Sequence, residues 1–178
     1  MKKKLGWVIV LLMIAGLISM TMLYFSQAES AKKDAIKLIS SAIDARPAKI
    51  KDSYLFAGGL CKVETINGQT EPSQIDVKTA TSLDLYGWVI TESTGRTLPP
   101  MVFGILSGEG GVFWLEGARV FRADIGSVFG SHYFDQGGFI VKGLTPPLLL
   151  GKYKLSVATG NEYVMGVCLT DKVINISQ

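Results

Sequence analysis

Histidine and cysteine are scarce in this sequence: the 178-residue chain has one histidine, His132, and two cysteines, Cys61 and Cys168. They do not have the spacing of a zinc site, so we predict no metal. The chain also lacks a phosphate-binding loop, a dinucleotide fingerprint and a paired-carboxylate motif, so we predict no cofactor. The net charge of +3 comes largely from the N-terminal lysines, and nothing indicates a nucleic-acid partner.

Charge is absent from residues 5–25, LGWVIVLLMIAGLISMTMLYF, which begin at Leu5 and end at Phe25. As a helix this stretch spans about 30 Å, the hydrocarbon thickness of a bilayer, and we predict a transmembrane helix that binds the lipid bilayer. The alternative is a cleaved signal peptide, with small residues at Ser26 and Ala28 around the cut. The apolar core of a signal peptide runs for only about 7–15 residues, which favours an uncleaved anchor.

The orientation follows from the lysines at positions 2, 3 and 4, because basic flanks stay on the cytoplasmic side of a membrane. We therefore predict a single-pass protein of the inner, cytoplasmic membrane, with everything after Phe25 facing the periplasm or the cell surface. The chain then divides into a cytoplasmic tail with the transmembrane helix at 1–25, a helical stalk at 26–52, and an extracytoplasmic domain at 53–178.

The oxidising compartment outside the cytoplasm permits a disulfide between Cys61 and Cys168. A bridge that closes a loop of about 100 residues stabilises a fold by about 4–5 kcal/mol in the chain-entropy model. We favour the bridge because these cysteines would join the first and last strands of the domain. The alternative is a pair of small buried thiols.

The stalk at 26–52 has helical spacing, with one row of small and apolar side chains: Ala28, Ala31, Ala35, Leu38 and Ala42. The partner of this row stays open among the β domain, a second copy in a short coiled coil, and the membrane surface. Pro47 is expected to end the helix near Arg46, because the residue before a proline disfavours the helical conformation.

From about Ser53 the sequence becomes rich in glycine, β-branched and aromatic residues, with turn signals such as Asn67-Gly68 at short intervals. In the stretch LDLYGWVIT, one face carries Leu83, Leu85, Gly87, Val89 and Thr91, and the other carries Tyr86, Trp88 and Ile90. Both faces are largely apolar, which favours a central strand. About seven to nine such strands predict an antiparallel β-sandwich or barrel, and of the two we favour a sandwich, immunoglobulin-like or jelly-roll-like.

The order of motifs from Leu83 onward is more specific: LDLYGWVIT, then Arg122-Ala123-Asp124-Ile125, then GGFIVKGL, and finally LLLGKYKLSV. This order resembles a β-sandwich module of bacterial cell-surface glycan proteins, including extracytoplasmic tails of membrane glycosyltransferases and glycosyltransferase-linked modules. The resemblance covers residues 83–159. The module's usual acidic residue after the tryptophan appears here only as Glu92, and its usual proline before the aspartate is Ala123. The resemblance implies an association with glycans and carries over no catalytic residue.

The stretch VFRADIGSVFGSHYFDQGGFIVKGL holds the histidine, and we favour a structural interpretation of it. Asp124 would accept backbone N–H groups as the cap of a short turn or one-turn helix, and Arg122 would reach a nearby carboxylate or carbonyl. Ile125, Val128 and Phe129 would then plug the end of the sandwich.

The competing interpretation of this stretch is a hydrolase triad. It would combine Ser127 or Ser131 with His132 and with Asp124 or Asp135. Neither serine lies in a nucleophile-elbow pattern, and a triad depends on a geometry that sequence does not supply. We therefore predict no catalytic residue and no enzymatic activity.

Aromatic side chains offer a candidate ligand site, because their faces stack on sugar rings while nearby polar groups bind hydroxyls. The candidates are Trp114, Tyr133 and Phe134 at hairpin and loop positions, with Arg122 and Asp135 as polar partners. Trp88 and its neighbour Tyr86 also carry rings, but Trp88 is expected in the core of the sandwich.

These features predict a membrane-anchored envelope protein with a non-catalytic domain for recognition or scaffolding, associated with a glycan. The alternative is a subunit of a multiprotein envelope assembly, of a secretion or pilus-like type. In that case Gly6, Ala15, Gly16 and Ser19 would pack the anchor against membrane-protein partners. A third hypothesis is an envelope enzyme that acts on polysaccharide.

Overall fold

The computed structural model describes residues 45–91, 98–145 and 150–178, together with scattered positions from 20 to 42, all of them helical. The predicted anchor at residues 5–25 lies outside the described residues apart from Met20 and Thr21. Within the described part of the chain, no helix is long and apolar enough to cross a membrane. The chain divides into two compact units, Met1–Lys37 and Leu38–Gln178.

The second unit consists mainly of strands. The chain is no longer helical at Ala45 and Arg46, so the stalk helix ends before Pro47, as predicted. The elements that follow are a 3₁₀ helix (Ala48–Ile50), β1 (Tyr54–Ala57), β2 (Leu60–Ile66), β3 (Gln69–Thr70), β4 (Gln74–Lys78), β5 (Ser82–Ile90), β6 (Met101–Gly108), β7 (Gly111–Val120), α1 (Ala123–Val128), a second 3₁₀ helix (His132–Gln136), β8 (Gly138–Leu144), β9 (Gly151–Gly160) and β10 (Val164–Ser177).

The strands form one mixed sheet of ten strands in the order β1-β10-β9-β6-β7-β8-β5-β2-β3, and β4 also pairs with β10. Most neighbouring strands are antiparallel, as predicted. However, β1 and β4 run parallel to β10, so the prediction of a wholly antiparallel sheet was wrong there. These partners lie far apart in the chain, and no turn motif in the sequence indicates their direction.

Gly58 and Gly59 form a corner between β1 and β2. The Gly58 N–H donates to the carbonyl of Val167 in β10 at 3.0 Å, and β2 then pairs with β5 instead. Gly59 has a φ of +94°, and a Cβ at this position would lie 2.8 Å from the carbonyl oxygen of Ile90. Glycine is therefore required at position 59, where the chain passes from β1, at one end of the strand order, to β2, near the other end.

Cys61 of β2 and Cys168 of β10 form a disulfide, with their Cα atoms 6.2 Å apart and a sequence separation of 107. The two strands lie near opposite ends of the sheet order and are not hydrogen-bonded neighbours in the described sheet. The disulfide therefore holds the sheet folded back on itself where backbone hydrogen bonds do not.

The alternation predicted for β5 is confirmed. Leu83, Leu85 and Val89 are fully buried in the main core, whereas Tyr86 and Trp88 are half-buried on the opposite face. The same core takes side chains from β2, β4 and each strand from β6 to β10. This enclosed core is the interior of the folded sheet.

A second apolar cluster covers the outer face of β6, β9 and β10. Phe103 and Ile105 of β6 are buried there, together with Leu38, Ala42 and Ile50 from the N-terminal segment. The described part of the stalk row, Leu38 and Ala42, thus packs on the β domain, one of the three partners that the sequence leaves open.

Candidate functional site

Arg122 is the centre of a charge network at the start of α1. Its Nε and Nη2 donate to the two carboxylate oxygens of Asp124 at 2.8 and 2.6 Å. Its Nη1 and Nη2 donate to the carboxylate of Glu64 in β2 at 2.7 and 3.2 Å. The guanidinium also lies 5.3 Å from the centre of the Tyr86 ring. Arginine suits this position because its planar fork can bind two carboxylates and stack on a ring at once.

The contacts of Arg122 keep the network charged. Hydrogen bonds to Asp124 and Glu64 raise the pKa of Arg122, and the guanidinium lowers the pKa of Asp124 below its ordinary value of 3.8. Four hydrogen bonds occupy most of the five N–H groups of this arginine. Arg122 therefore has little donor capacity left for a ligand.

Asp124 lies in the first turn of α1, and its carboxylate is held chiefly by Arg122. Backbone N–H groups of Asp124 itself and of Ile125 also favour the charged form, but more weakly. The cap position of α1 is Arg122, where no side chain accepts a hydrogen bond from the helix. The ion pair, rather than the expected helix cap, is thus the main contact of Asp124.

The predicted plug of the domain is only partly formed. Ile125 is buried, and Phe129 packs in the same cluster, but Val128 is 77% exposed. Ile125 and Phe129 are four residues apart and share one face of this short helix, whereas Val128 lies on its solvent side. The expectation that Val128 plugs the domain was wrong, because six residues of helix bury only one narrow face.

The residues considered for a hydrolase triad make other contacts. Ser127 Oγ donates to a backbone carbonyl one turn earlier at 3.0 Å, and Ser131 Oγ accepts a backbone N–H as the cap of the second 3₁₀ helix. His132 Nδ1 lies 3.1 Å from Asp135 Oδ2, and the histidine side chain is fully exposed. Among the described contacts, neither serine meets the histidine, so the site brings together a histidine and a carboxylate without a nucleophile.

Asp135 is a mostly buried carboxylate that links the two short helices. Its Oδ2 meets His132, while Oδ1 is buried and has no hydrogen-bond partner among the described atoms. A Cβ on residue 126 would overlap Oδ1, so the absence of a side chain at Gly126 leaves the room that this carboxylate occupies. The Asp135 carbonyl also accepts the backbone N–H of Arg122 at 2.6 Å.

Four aromatic rings form a row on the outer side of β5 and α1, which we call the aromatic row: Trp88, Phe129, Phe134 and Tyr133. Successive ring centres lie 5.5, 5.6 and 5.0 Å apart. Trp88 was expected in the core, but it packs in this row on the face opposite the main core. Tyr133 and Phe134 are half-buried, and their neighbour His132 is exposed.

Trp114 lies apart from the aromatic row. Its indole N–H donates to the carbonyl of Ala42 at 3.3 Å, and its ring packs edge-on against Phe103 at 5.5 Å. It belongs to the second apolar cluster, which the N-terminal segment covers. Of the predicted ligand residues, the structure thus brings together Tyr133, Phe134 and Asp135 with the backbone of Arg122, but not Trp114.

Arg119 is a largely buried cation that the sequence interpretation missed. It donates to the carbonyls of Pro99 at 3.0 Å, Val89 at 2.8 Å and Gly137 at 3.2 Å, and to Thr159 Oγ1 at 2.5 Å. Burial lowers the pKa of Arg119 to about 10. Its acceptors lie in β5 and β9 and in the segments before β6 and β8, so one side chain ties these parts together next to the aromatic row.

A signal for Arg119 is present in the sequence. Phe113, Leu115 and Gly117 precede it at two-residue spacing in β7, and Leu115 is buried in the main core. Strict alternation therefore predicts that Arg119 faces inward, where a cation needs several acceptors.

No cluster of three or more His, Cys, Asp or Glu side chains that could hold a metal ion occurs in the described ranges. Glu92, the acidic residue of the sequence resemblance, lies outside them. No protein-family model matches the chain, and no curated protein matches it in sequence. The function is therefore argued from the chain's own residues.

Proposed function

We propose that this chain is a single-pass membrane protein whose exported β domain recognises a partner in the cell envelope without catalysing a reaction. The uncharged residues 5–25 would supply the anchor, and the lysines before them the orientation. The Cys61–Cys168 disulfide supports export, because such bonds form and persist in oxidising compartments.

The hydrogen-bond network of Arg122 is the main support for a non-catalytic function. Four hydrogen bonds to Glu64 and Asp124 use most of its donors, and the serines nearby bind backbone groups. The charged residues and serines of the stretch 120–144 thus stabilise the fold. Such a saturated network favours an architectural role over a reactive one.

We further infer that the folded sheet is a two-layered sandwich, immunoglobulin-like or jelly-roll-like, as the sequence resemblance implies. The passage of β1 into β2 at Gly58 and Gly59 is typical of corners at which strands change layer. The disulfide between β2 and β10 would then join the two layers.

The recognition surface that we propose is the exposed part of the aromatic row, with His132 and Asp135 at its edge, and its ligand class is a glycan. Half-buried rings such as Tyr133 and Phe134 offer a rigid face for the apolar side of a sugar. His132 is fully exposed and offers hydrogen bonds to hydroxyl groups.

Binding of the full chain in nanodiscs to an array of bacterial envelope polysaccharides tests this proposal. Tyr133→Ala should weaken binding at least tenfold, because a stacked ring contributes much of the affinity for a sugar. Trp88 is a built-in reporter, since its ring contacts Phe129 in the same row, and its fluorescence should change on binding.

Val128→Ala is the matched control, because Val128 is exposed on α1 but lies outside the aromatic row. It should leave binding unchanged. Absence of binding to any polysaccharide, or an equal loss in both variants, would overturn the glycan assignment. Co-purified membrane proteins that are lost when residues 1–25 are replaced by a cleavable signal would instead favour the assembly subunit.

A further inference from the structure

Arg119 lies at the joint between the two elements that carry most of the aromatic row. Trp88 belongs to β5, whereas the last two rings of the row belong to the second 3₁₀ helix. Nη1 of Arg119 donates to the carbonyl of Val89, which follows Trp88, at 2.8 Å, and to the carbonyl of Gly137, which follows the helix, at 3.2 Å. One guanidinium nitrogen thus bridges the residues directly after the two parts of the row.

Gly137 transmits this bridge to the rings. Its N–H donates to the carbonyl of Phe134 at 2.8 Å, and its own carbonyl accepts the N–H of Val89 at 2.9 Å. The joint is also tightly packed, because a Cβ at position 137 would lie 2.8 Å from the Phe134 carbonyl oxygen and 3.2 Å from the side chain of Ile125. The distance between Val89 and Gly137 therefore sets the position of the helix relative to β5.

The guanidinium is fixed from its other side as well. Nε donates to the carbonyl of Pro99 at 3.0 Å, and Nη2 donates to Thr159 Oγ1 at 2.5 Å. Thr159 is fully buried, and its hydroxyl donates in turn to the carbonyl of Met101 at 2.9 Å. Because the guanidinium is planar and held on both sides, Arg119 is a rigid bridge rather than a mobile side chain.

This bridge has an energetic cost. The described acceptors of Arg119 are three carbonyls and one hydroxyl, with no carboxylate among them. Burial lowers the pKa of Arg119, and the nearby Tyr133 acts on that pKa in the opposite direction. A buried charge without an opposite charge is costly, and packed apolar residues often stabilise a fold equally well. The geometry of the aromatic row is what this arginine supplies in return.

We propose that Arg119 is a positioning residue of the recognition surface. It holds the helix that carries Tyr133 and Phe134 against the strand that carries Trp88, so the row has its binding geometry before a ligand arrives. Such preorganisation raises affinity, because fewer side chains must be ordered on binding. This inference rests on the proposed function, in which the row binds a glycan, and Arg119 acts on the ligand only through the rings.

A binding cycle of Arg119→Lys and Tyr133→Ala in the full chain in nanodiscs tests this inference. The probe is the envelope polysaccharide that wild type binds most tightly in the array. Arg119→Lys keeps the charge, but an ammonium group cannot span four acceptors, so it should weaken binding about tenfold. In a chain that already has Tyr133→Ala, the same change should weaken binding about twofold or less, because the ring that it displaces is gone.

Ile174→Val is the control for a general loss of stability. Ile174 belongs to the main core and not to the cluster that contains the aromatic row. Its shortening loosens the core, but it should change binding by less than about twofold. If Arg119→Lys does not fold, as judged by circular dichroism, Thr159→Val takes its place in the cycle. Valine has the shape of threonine without the hydroxyl that holds Nη2, so binding should weaken about threefold, and only where Tyr133 is present.

The outcomes separate the two proposals. Wild type that binds no polysaccharide contradicts the proposed function, and the inference then fails with it. If wild type binds but Arg119→Lys weakens binding by the same factor in both backgrounds, or not at all, the inference is overturned and the glycan assignment stands. An equal loss of binding in Ile174→Val would also overturn it, because Arg119 would then act through stability alone.

Discussion

Glu64 and Arg122 are 58 residues apart in the chain and form a two-bonded ion pair that ties β2 to the start of α1. Both side chains are largely removed from water, so the pair is less screened than a surface salt bridge. The same guanidinium binds Asp124, and one arginine thus fixes the position of α1 on the sheet.

A double-mutant cycle of Arg122→Lys and Glu64→Gln measures the strength of this pair. Arg122→Lys should lower the free energy of unfolding by about 1–3 kcal/mol, because an ammonium group cannot reproduce the two-bonded geometry. The coupling energy from urea unfolding should be about 1–2 kcal/mol. The exposed pair Lys62 and Glu71 in the neighbouring hairpin is the control, with a coupling below about 1 kcal/mol. Equal coupling in the two pairs would contradict the special role of Arg122.

The ion pair between Asp124 and Arg122 predicts a pH dependence of stability. Arg122 lowers the pKa of Asp124 in the folded state below its ordinary value of 3.8. The stabilisation is therefore fully present above the unfolded-state pKa and is lost as the pH falls through the folded-state pKa. Urea midpoints measured from about pH 6 to about pH 2 should converge for wild type and Asp124→Asn at the acid end. A difference that stays constant over this range would rule out the ion pair as its cause.

Gly126→Ala should destabilise the domain, although alanine normally favours a helix over glycine by about 1 kcal/mol. The new Cβ would overlap the buried Oδ1 of Asp135 and displace the carboxylate from His132. We expect a loss of about 1–3 kcal/mol in urea unfolding. The double variant Gly126→Ala with Asp135→Ala, compared with Asp135→Ala alone, should show no such loss. If alanine at position 126 costs the same with and without Asp135, the contact is not the reason for the glycine.

Removal of the disulfide should cost about 4–5 kcal/mol of stability, because the bridge closes a loop of more than 100 residues. The variant with both Cys61→Ser and Cys168→Ser should unfold at a lower urea concentration than wild type. Wild type with added reductant should match it, while reductant should not change the variant. An unchanged midpoint would show that the contacts between β2 and β10 close the sheet without the bridge.

Local patterns in the sequence were sufficient for part of this structure. The alternation of Leu83, Leu85 and Val89 correctly predicts the buried face of β5, because burial follows the two-residue period of a strand. The helix ends before Pro47 for a reason that is also local. Arg122 reaches a carboxylate, as expected, since Asp124 is two residues away.

Long-range contacts could not be predicted in the same way. Glu64 is the second carboxylate of Arg122, and only the pairing of distant strands brings it there. Trp114 was predicted at an exposed hairpin position, but the N-terminal segment lies over it. No turn motif in the sequence predicts the parallel pairing of β1 and β4 with β10. In each case the missing information is tertiary packing.

The proposed function requires that the domain faces outward from a membrane to which the uncleaved chain stays attached. The most direct measurement is protease treatment of intact bacterial spheroplasts that carry the full chain with an epitope tag after Gln178. We expect that external protease removes the tag, and that untreated chains keep residues 1–25 and stay in the membrane after an alkaline carbonate wash. A tag that resists protease until the membrane is broken, or a chain that is trimmed after about residue 28 and released, would contradict it.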